Sequence, residues 1–117
     1  KILTMGIFDF LKILKKKLPD GPYKIFHKNG QLKEEGNIKD GKKDGLLKKF
    51  WLNGNLLVER NYKDGMQHGL SKMYDMYGNL QSENNYKNDK EDGISRVYNE
   101  NGDVVVESNH KNGKRLK

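Results

Sequence analysis

The chain has 117 residues, 33% hydrophobic and 33% charged, with no cysteine and a formal net charge of +7. One domain fits that length, but the apolar fraction is thin for a conventional globular core, and the lack of cysteine excludes disulfides and thiolate metal sites and leaves a reducing compartment unopposed. Four Phe, six Tyr and Trp51 argue for order despite 13 glycines.

The charge is uneven along the chain. Residues 1–19 carry five lysines against one aspartate, net +4, whereas residues 20–117 carry eighteen basic and fifteen acidic groups, net +3. The body alternates Lys with Asp and Glu, without the continuous basic stripe and stacking aromatics that nucleic-acid binding requires, so no specific nucleic-acid partner is expected.

In the first segment, "MGIFDFLKILKKKLPDG" places Ile7, Phe8, Leu11, Leu14 and Leu18 at helical spacing, with Asp9, Lys12 and Lys16 on the other side and Pro19 and Gly21 as stops. The pattern predicts one amphipathic helix within residues 1–19. A signal peptide is excluded, because Asp9 and Lys12 interrupt a short apolar stretch that no small-residue cleavage site follows. Two roles remain: a cap over the open first repeat, which is preferred, and a membrane-surface helix.

From Asp20 onward the chain repeats every 24 residues, in units 20–43, 44–67, 68–91 and 92–115. Glycine opens each unit (Gly21, Gly45, Gly69, Gly93) and returns at Gly30, Gly54, Gly78 and Gly102. Further columns are Lys24, Lys48, Lys72 and Arg96; Phe26, Phe50, Tyr74 and Tyr98; Leu32, Leu56, Leu80 and Val104; Glu35, Glu59, Glu83 and Glu107; and Asn37, Asn61, Asn85 and Asn109.

Each unit reads as a β-hairpin: a strand-like run such as "LLKKFWL", a turn dipeptide such as Asn53-Gly54, then a second run such as "NLLVERNYK". A two-residue turn sets Lys48 opposite Glu59, whereas a three-residue loop with a glycine bulge sets Phe50 opposite Leu56. Both pairings are favourable, and the sequence leaves the register open. The predicted fold is all-β, an elongated antiparallel sheet of four stacked hairpin repeats with an N-terminal helical cap.

The columns of "DGLLKKFWLNGNLLVERNYKDGMQHG" resemble the variant MORN repeat, as found in proteins similar to the YwqK-type antitoxins. The resemblance covers residues 20–115. The sequence departs from it where Asp89 replaces the third glycine, where Tyr77 replaces Asn before Gly78, and where Ile38 and His110 replace the tyrosine of Tyr62 and Tyr86. It implies a scaffold of hairpins that binds other proteins, in bacteria an antitoxin or immunity protein that neutralises a toxin by covering it.

Nothing in the residues points to catalysis. His27, His68 and His110 fall at different phases of the repeat, and no metal spacing or Ser-His-Asp arrangement is present. His68 stands where the other units have Asp20, Asp44 and Asp92 and reads as a turn residue, and the glutamate column, matched by one Lys or Arg per unit, reads as a charge ladder. No cofactor, metal ligand or catalytic residue is expected.

A binding surface is sought where units differ, since shared columns maintain the scaffold. Unit two carries Leu47, Trp51, Leu52, Leu57 and Val58, and unit three Met73, Met76 and Tyr77. Trp51 is the leading anchor, its column holding His27, Asp75 and Asn99 elsewhere; with Tyr23, Ile25 and Leu47 it could equally seat the N-terminal helix. The expected contact residues are Trp51, Leu47, Leu52, Leu57, Met73, Met76 and Tyr77, on a cytoplasmic protein whose partner is a toxin. The competing expectation is a membrane-associated scaffold held by the basic N-terminal helix.

Overall fold

The computed structural model describes residues 2–6 and 19–117. Among these residues thirteen strands form one sheet: β1 (Leu3–Met5), β2 (Gly21–Phe26), β3 (Leu32–Lys39), β4 (Lys42–Lys43), β5 (Gly45–Phe50), β6 (Leu56–Lys63), β7 (Met66–Gln67), β8 (Gly69–Tyr74), β9 (Leu80–Lys87), β10 (Lys90–Glu91), β11 (Gly93–Tyr98), β12 (Val104–Lys111) and β13 (Lys114–Leu116). The order is β1-β2-β3-β5-β6-β8-β9-β11-β12-β13, and the short strands β4, β7 and β10 pair with β3, β6 and β9. The molecule is elongated, 45 × 32 × 21 Å.

Two expectations are corrected. The sheet is mixed rather than wholly antiparallel, because β1 runs parallel to β2, with Leu3 beside Tyr23 and Met5 beside Ile25. A helical cap over residues 1–19 is also overturned: the described residues contain no helix, and the exposed backbone edge of β2 is covered by a strand. Leu3, Thr4 and Met5 are half-buried, exposed and buried in turn, the period of a strand, and a strand satisfies unpaired edge groups that a helix cannot. The apolar positions Ile7 to Leu18 that suggested the helix lie outside the described residues.

The register resolves the alternative the sequence left open by using both pairings. At the tip of the second hairpin the Trp51 N–H donates to Asn55 O at 2.8 Å and the Gly54 N–H to Trp51 O at 2.9 Å. Gly54 is in the left-handed region, at φ 92. This three-residue loop sets Phe50 opposite Leu56. A bulge then leaves Leu57 unpaired and shifts the ladder by one residue, so that Lys48 meets Glu59. The same shift occurs in all four hairpins.

Successive hairpins are joined by two-residue turns with both residues at positive φ, as at Asp64 (53) and Gly65 (82), the mirror-image turn that matches strand twist. Asp89 holds this conformation without being glycine (φ 68), and its Oδ1 accepts the Gln67 N–H at 2.7 Å.

Alternation along the strands sorts the side chains into two unlike faces. One carries the repeated columns. Across it Lys24, Glu35, Lys48, Glu59, Lys72, Glu83, Arg96 and Glu107 pair in sequence from strand to strand. Charges therefore alternate along the row, with Arg96 Nε 2.9 Å from Glu107 and Arg96 Nη1 3.5 Å from Glu83. The hydroxyl of Tyr98 also donates to Glu83.

The other face changes along the chain and holds the core at its N-terminal end. Met5, Tyr23, Ile25 and Ile38 form one buried cluster with Leu3 packed against it, and Leu47 and Val58 are buried further along the same face. The directly opposed pairs there change from unit to unit: Tyr23 faces Gly36, Leu47 faces Arg60, Ser71 faces Asn84 and Ser95 faces Ser108. In units three and four, Ser71 and Ser95 replace the bulky side chains, so apolar burial ends with Val58 among the described residues.

Candidate functional site

The bulges and three-residue loops place residues that differ between units along one long edge of the sheet. In unit two these include Trp51 and Leu52 in the loop and Leu57 at the bulge; in unit three Met76 and Tyr77 sit in the next loop. Trp51, Leu52, Leu57 and Met76 meet there with Phe50, His27, Asn53, Lys33 and Lys49 around a groove of about 620 Å³.

Its walls are tied together by hydrogen bonds between neighbouring loops. His27 Nε2 donates to Phe50 O (3.1 Å), and Trp51 Nε1 to Tyr74 O (3.2 Å), one unit further on. The Asn53 and Asn55 side-chain amides both donate to Met76 O at 2.8 Å. These bonds satisfy loop carbonyls and fix the spacing of the loops, so the groove is formed before anything enters it.

The bridging stops after unit three. Asp75 turns back on its own loop, accepting the N–H groups of Tyr77 and Asn79 at 2.9 Å each, and these bonds, that to Asn79 foremost, hold its carboxyl below the usual carboxylate range. Tyr77, standing where Asn29 and Asn53 reach to the next loop, is 80% exposed.

Of the seven expected contact residues, Trp51, Leu52, Leu57 and Met76 line the groove. Met73 and Tyr77 are exposed but lie outside its lining, and Leu47 is buried at 2% exposure on the core face. Tyr23 and Ile25, grouped with Trp51 as a seat for the N-terminal helix, instead pack with Met5. Sequence reasoning missed His27, Lys33, Lys49, Phe50 and Asn53 as groove residues. Lys33 and Leu57 share the bulge position, and only the register reveals that position.

His68 is not in a turn. It occupies the break between β7 and β8, its N–H donating to Asn61 O at 2.9 Å, as the Asp44 and Asp92 N–H groups donate to Asn37 and Asn85. Among the described residues no group of three or more His, Asp or Glu side chains could hold a metal ion. No carboxylate lines the groove, so it offers no acid–base pair, and its chemistry is that of apolar contact with a basic rim.

Comparison with known proteins agrees with this architecture. The sequence profile described as MORN repeat variant matches residues 19–40, 43–64, 67–88 and 91–112. Among solved structures, one titled "Crystal Structure of TarM" is similar at TM-score 0.50 and 16% identity, over 95% of this chain and 23% of that one. Another is the accessory secretory protein 1, 2 and 3 structure of Streptococcus pneumoniae, at TM-score 0.46 and 17% identity, over 86% of this chain and 19% of that one. The chain thus spans under a quarter of either structure, and the likeness to TarM concerns fold alone. No curated protein matches. With four profile matches following one another through the repeats, the chain belongs to the MORN repeat variant family.

Proposed function

We propose that this chain is a non-catalytic binding module that uses the turn-edge groove to hold another protein, and that it serves in the cytoplasm of a bacterium as an antitoxin or immunity protein of the YwqK type. Repeats of this family are protein- or membrane-binding modules and are non-catalytic. The observation that carries the proposal is that the groove's apolar side chains Leu52, Leu57 and Met76 belong to no shared column of the repeat. The Leu52 position is Lys28, Met76 and Glu100 in the other units, and the Leu57 position is Lys33, Gln81 and Val105. Leu52 stays 62% and Met76 44% exposed, a local apolar patch on adjacent loops. Met73 and Tyr77, both exposed, extend the contact surface.

The test is to identify a toxin gene neighbouring this one and to co-express its product with this chain. Wild-type chain relieves killing and co-purifies with the toxin, and the pair Leu52→Asp and Met76→Asp loses both effects while keeping its β-sheet circular dichroism. Failure of the wild-type chain to bind that toxin overturns the antitoxin reading. Flotation of the full chain with liposomes in place of toxin binding overturns protein capture in favour of a membrane scaffold.

A further inference from the structure

Resting on the reading of the groove as a contact surface, we infer that its occupant is an acidic segment of a partner protein carrying a leucine or phenylalanine anchor. The floor is apolar, from Phe50, Trp51, Leu52, Leu57 and Met76, and every titratable side chain in the lining is basic: His27, Lys33 and Lys49. Lys49 is offset by Glu34, 3.9 Å away, whereas Lys33 has no ion-pair partner among the described residues. An apolar anchor in the groove with a carboxylate beside it buries the floor and meets Lys33; a basic segment places like charge against it.

Shape and charge along the same edge favour a protein segment over an anionic membrane. A concave site of about 620 Å³ between hydrogen-bonded loops accommodates a few side chains, not a flat surface. Beyond the groove, the loops of units three and four present Asp75, Glu100 and Asp103, which repel an anionic bilayer laid along this edge.

Trp51 is the sole tryptophan and lines the groove, so its emission reports occupancy directly. The experiment titrates the full chain with the acetylated, amidated peptide Asp-Glu-Leu-Leu-Glu-Asp, with its counterpart in which every acid is lysine, and separately with phosphatidylserine-containing vesicles. The acidic peptide shifts Trp51 emission and binds at least about tenfold more tightly than the lysine peptide, and Lys33→Glu reverses that order. Leu57→Asp, checked for fold by circular dichroism, abolishes the shift. Equal affinity for the two peptides, an unchanged order in Lys33→Glu, or an emission shift with vesicles but not peptide overturns the inference. A neighbouring toxin that does not bind refutes the antitoxin role while leaving the peptide titration intact, so the two failures are distinguishable.

Discussion

Gly36 is the position where one methyl group tests the packing of the whole N-terminal face. Its backbone does not need glycine, since its φ is not positive, but a Cβ placed there falls 2.9 Å from the Tyr23 hydroxyl oxygen, 3.0 Å from Cε1 and 3.1 Å from Cζ. Favourable contacts of this kind lie at about 3.5–4.0 Å, so the Tyr23 ring would have to retreat by more than about half an ångström. It has nowhere to go: Tyr23 is 2% exposed, packed with Met5, Ile25 and Ile38, and its hydroxyl donates to Glu34 at 2.7 Å. Overpacking of this kind costs about 1–3 kcal/mol. The reduced freedom of the unfolded chain returns about 0.4–1 kcal/mol. Gly36→Ala is therefore destabilising by about 1–2 kcal/mol, read as a lower urea midpoint at unchanged slope. In Tyr23→Phe the nearest clashing atom is gone, so Gly36→Ala costs less in that background, and the double-mutant cycle shows a coupling of about 0.5 kcal/mol or more. A Gly36→Ala variant as stable as wild type, or two substitutions that simply add, would refute this packing.

The same tyrosine sets an alkaline limit. Burial first, then its hydrogen bond to Glu34, raises the Tyr23 pKa well above 10.0, so its contribution is complete below the unfolded value and is lost as pH rises beyond it. Melting curves of wild type across that range should fall more steeply than those of Tyr23→Phe, and parallel curves would contradict the assignment. At the third inter-hairpin turn, Asp89→Gly relieves a left-handed backbone worth about 1 kcal/mol and loses one hydrogen bond of similar size. Its urea midpoint should lie near wild type, whereas Asp89→Ala keeps the strain, loses the bond, and is destabilised by about 1 kcal/mol. In the charge ladder, Glu83 takes both Arg96 and the Tyr98 hydroxyl with its side chain 16% exposed, against 54% for Glu107. Glu83→Gln should therefore lower the urea midpoint more than Glu107→Gln, with the difference less sensitive to added salt than for an exposed pair.

Repetition makes the charged face legible from the residues alone. Lys24, Glu35, Lys48 and their successors recur every 24 residues, and one of the two registers the residues allow makes each opposite-charge pair neighbours across strands. The open choice between Lys48 against Glu59 and Phe50 against Leu56 has a physical origin. Each pairing is locally sound, and the bulge at Leu57 that admits both leaves no mark in the composition of its column, which holds Lys33, Leu57, Gln81 and Val105. The groove is half visible for the same reason. Trp51, Leu52, Leu57 and Met76 stand out as departures from the repeat, but Lys33 and Lys49, which give the groove its charge, look like ordinary surface lysines until the register brings them to its rim.

The sequence by itself determined the period, the hairpins and the candidate charge pairs, because these recur in every unit, whereas the turn length and the register that builds the alternating-charge row came with the structure. Tertiary structure decided what happens where the repetition ends. Residues 3–5 joined the sheet as a parallel strand because the unpaired edge of β2 demands backbone partners whatever the side-chain pattern favours. Tyr23 took the space over Gly36, while smaller Ser71 and Ser95 occupied its column further on, a matter of volume between strands that no single column records.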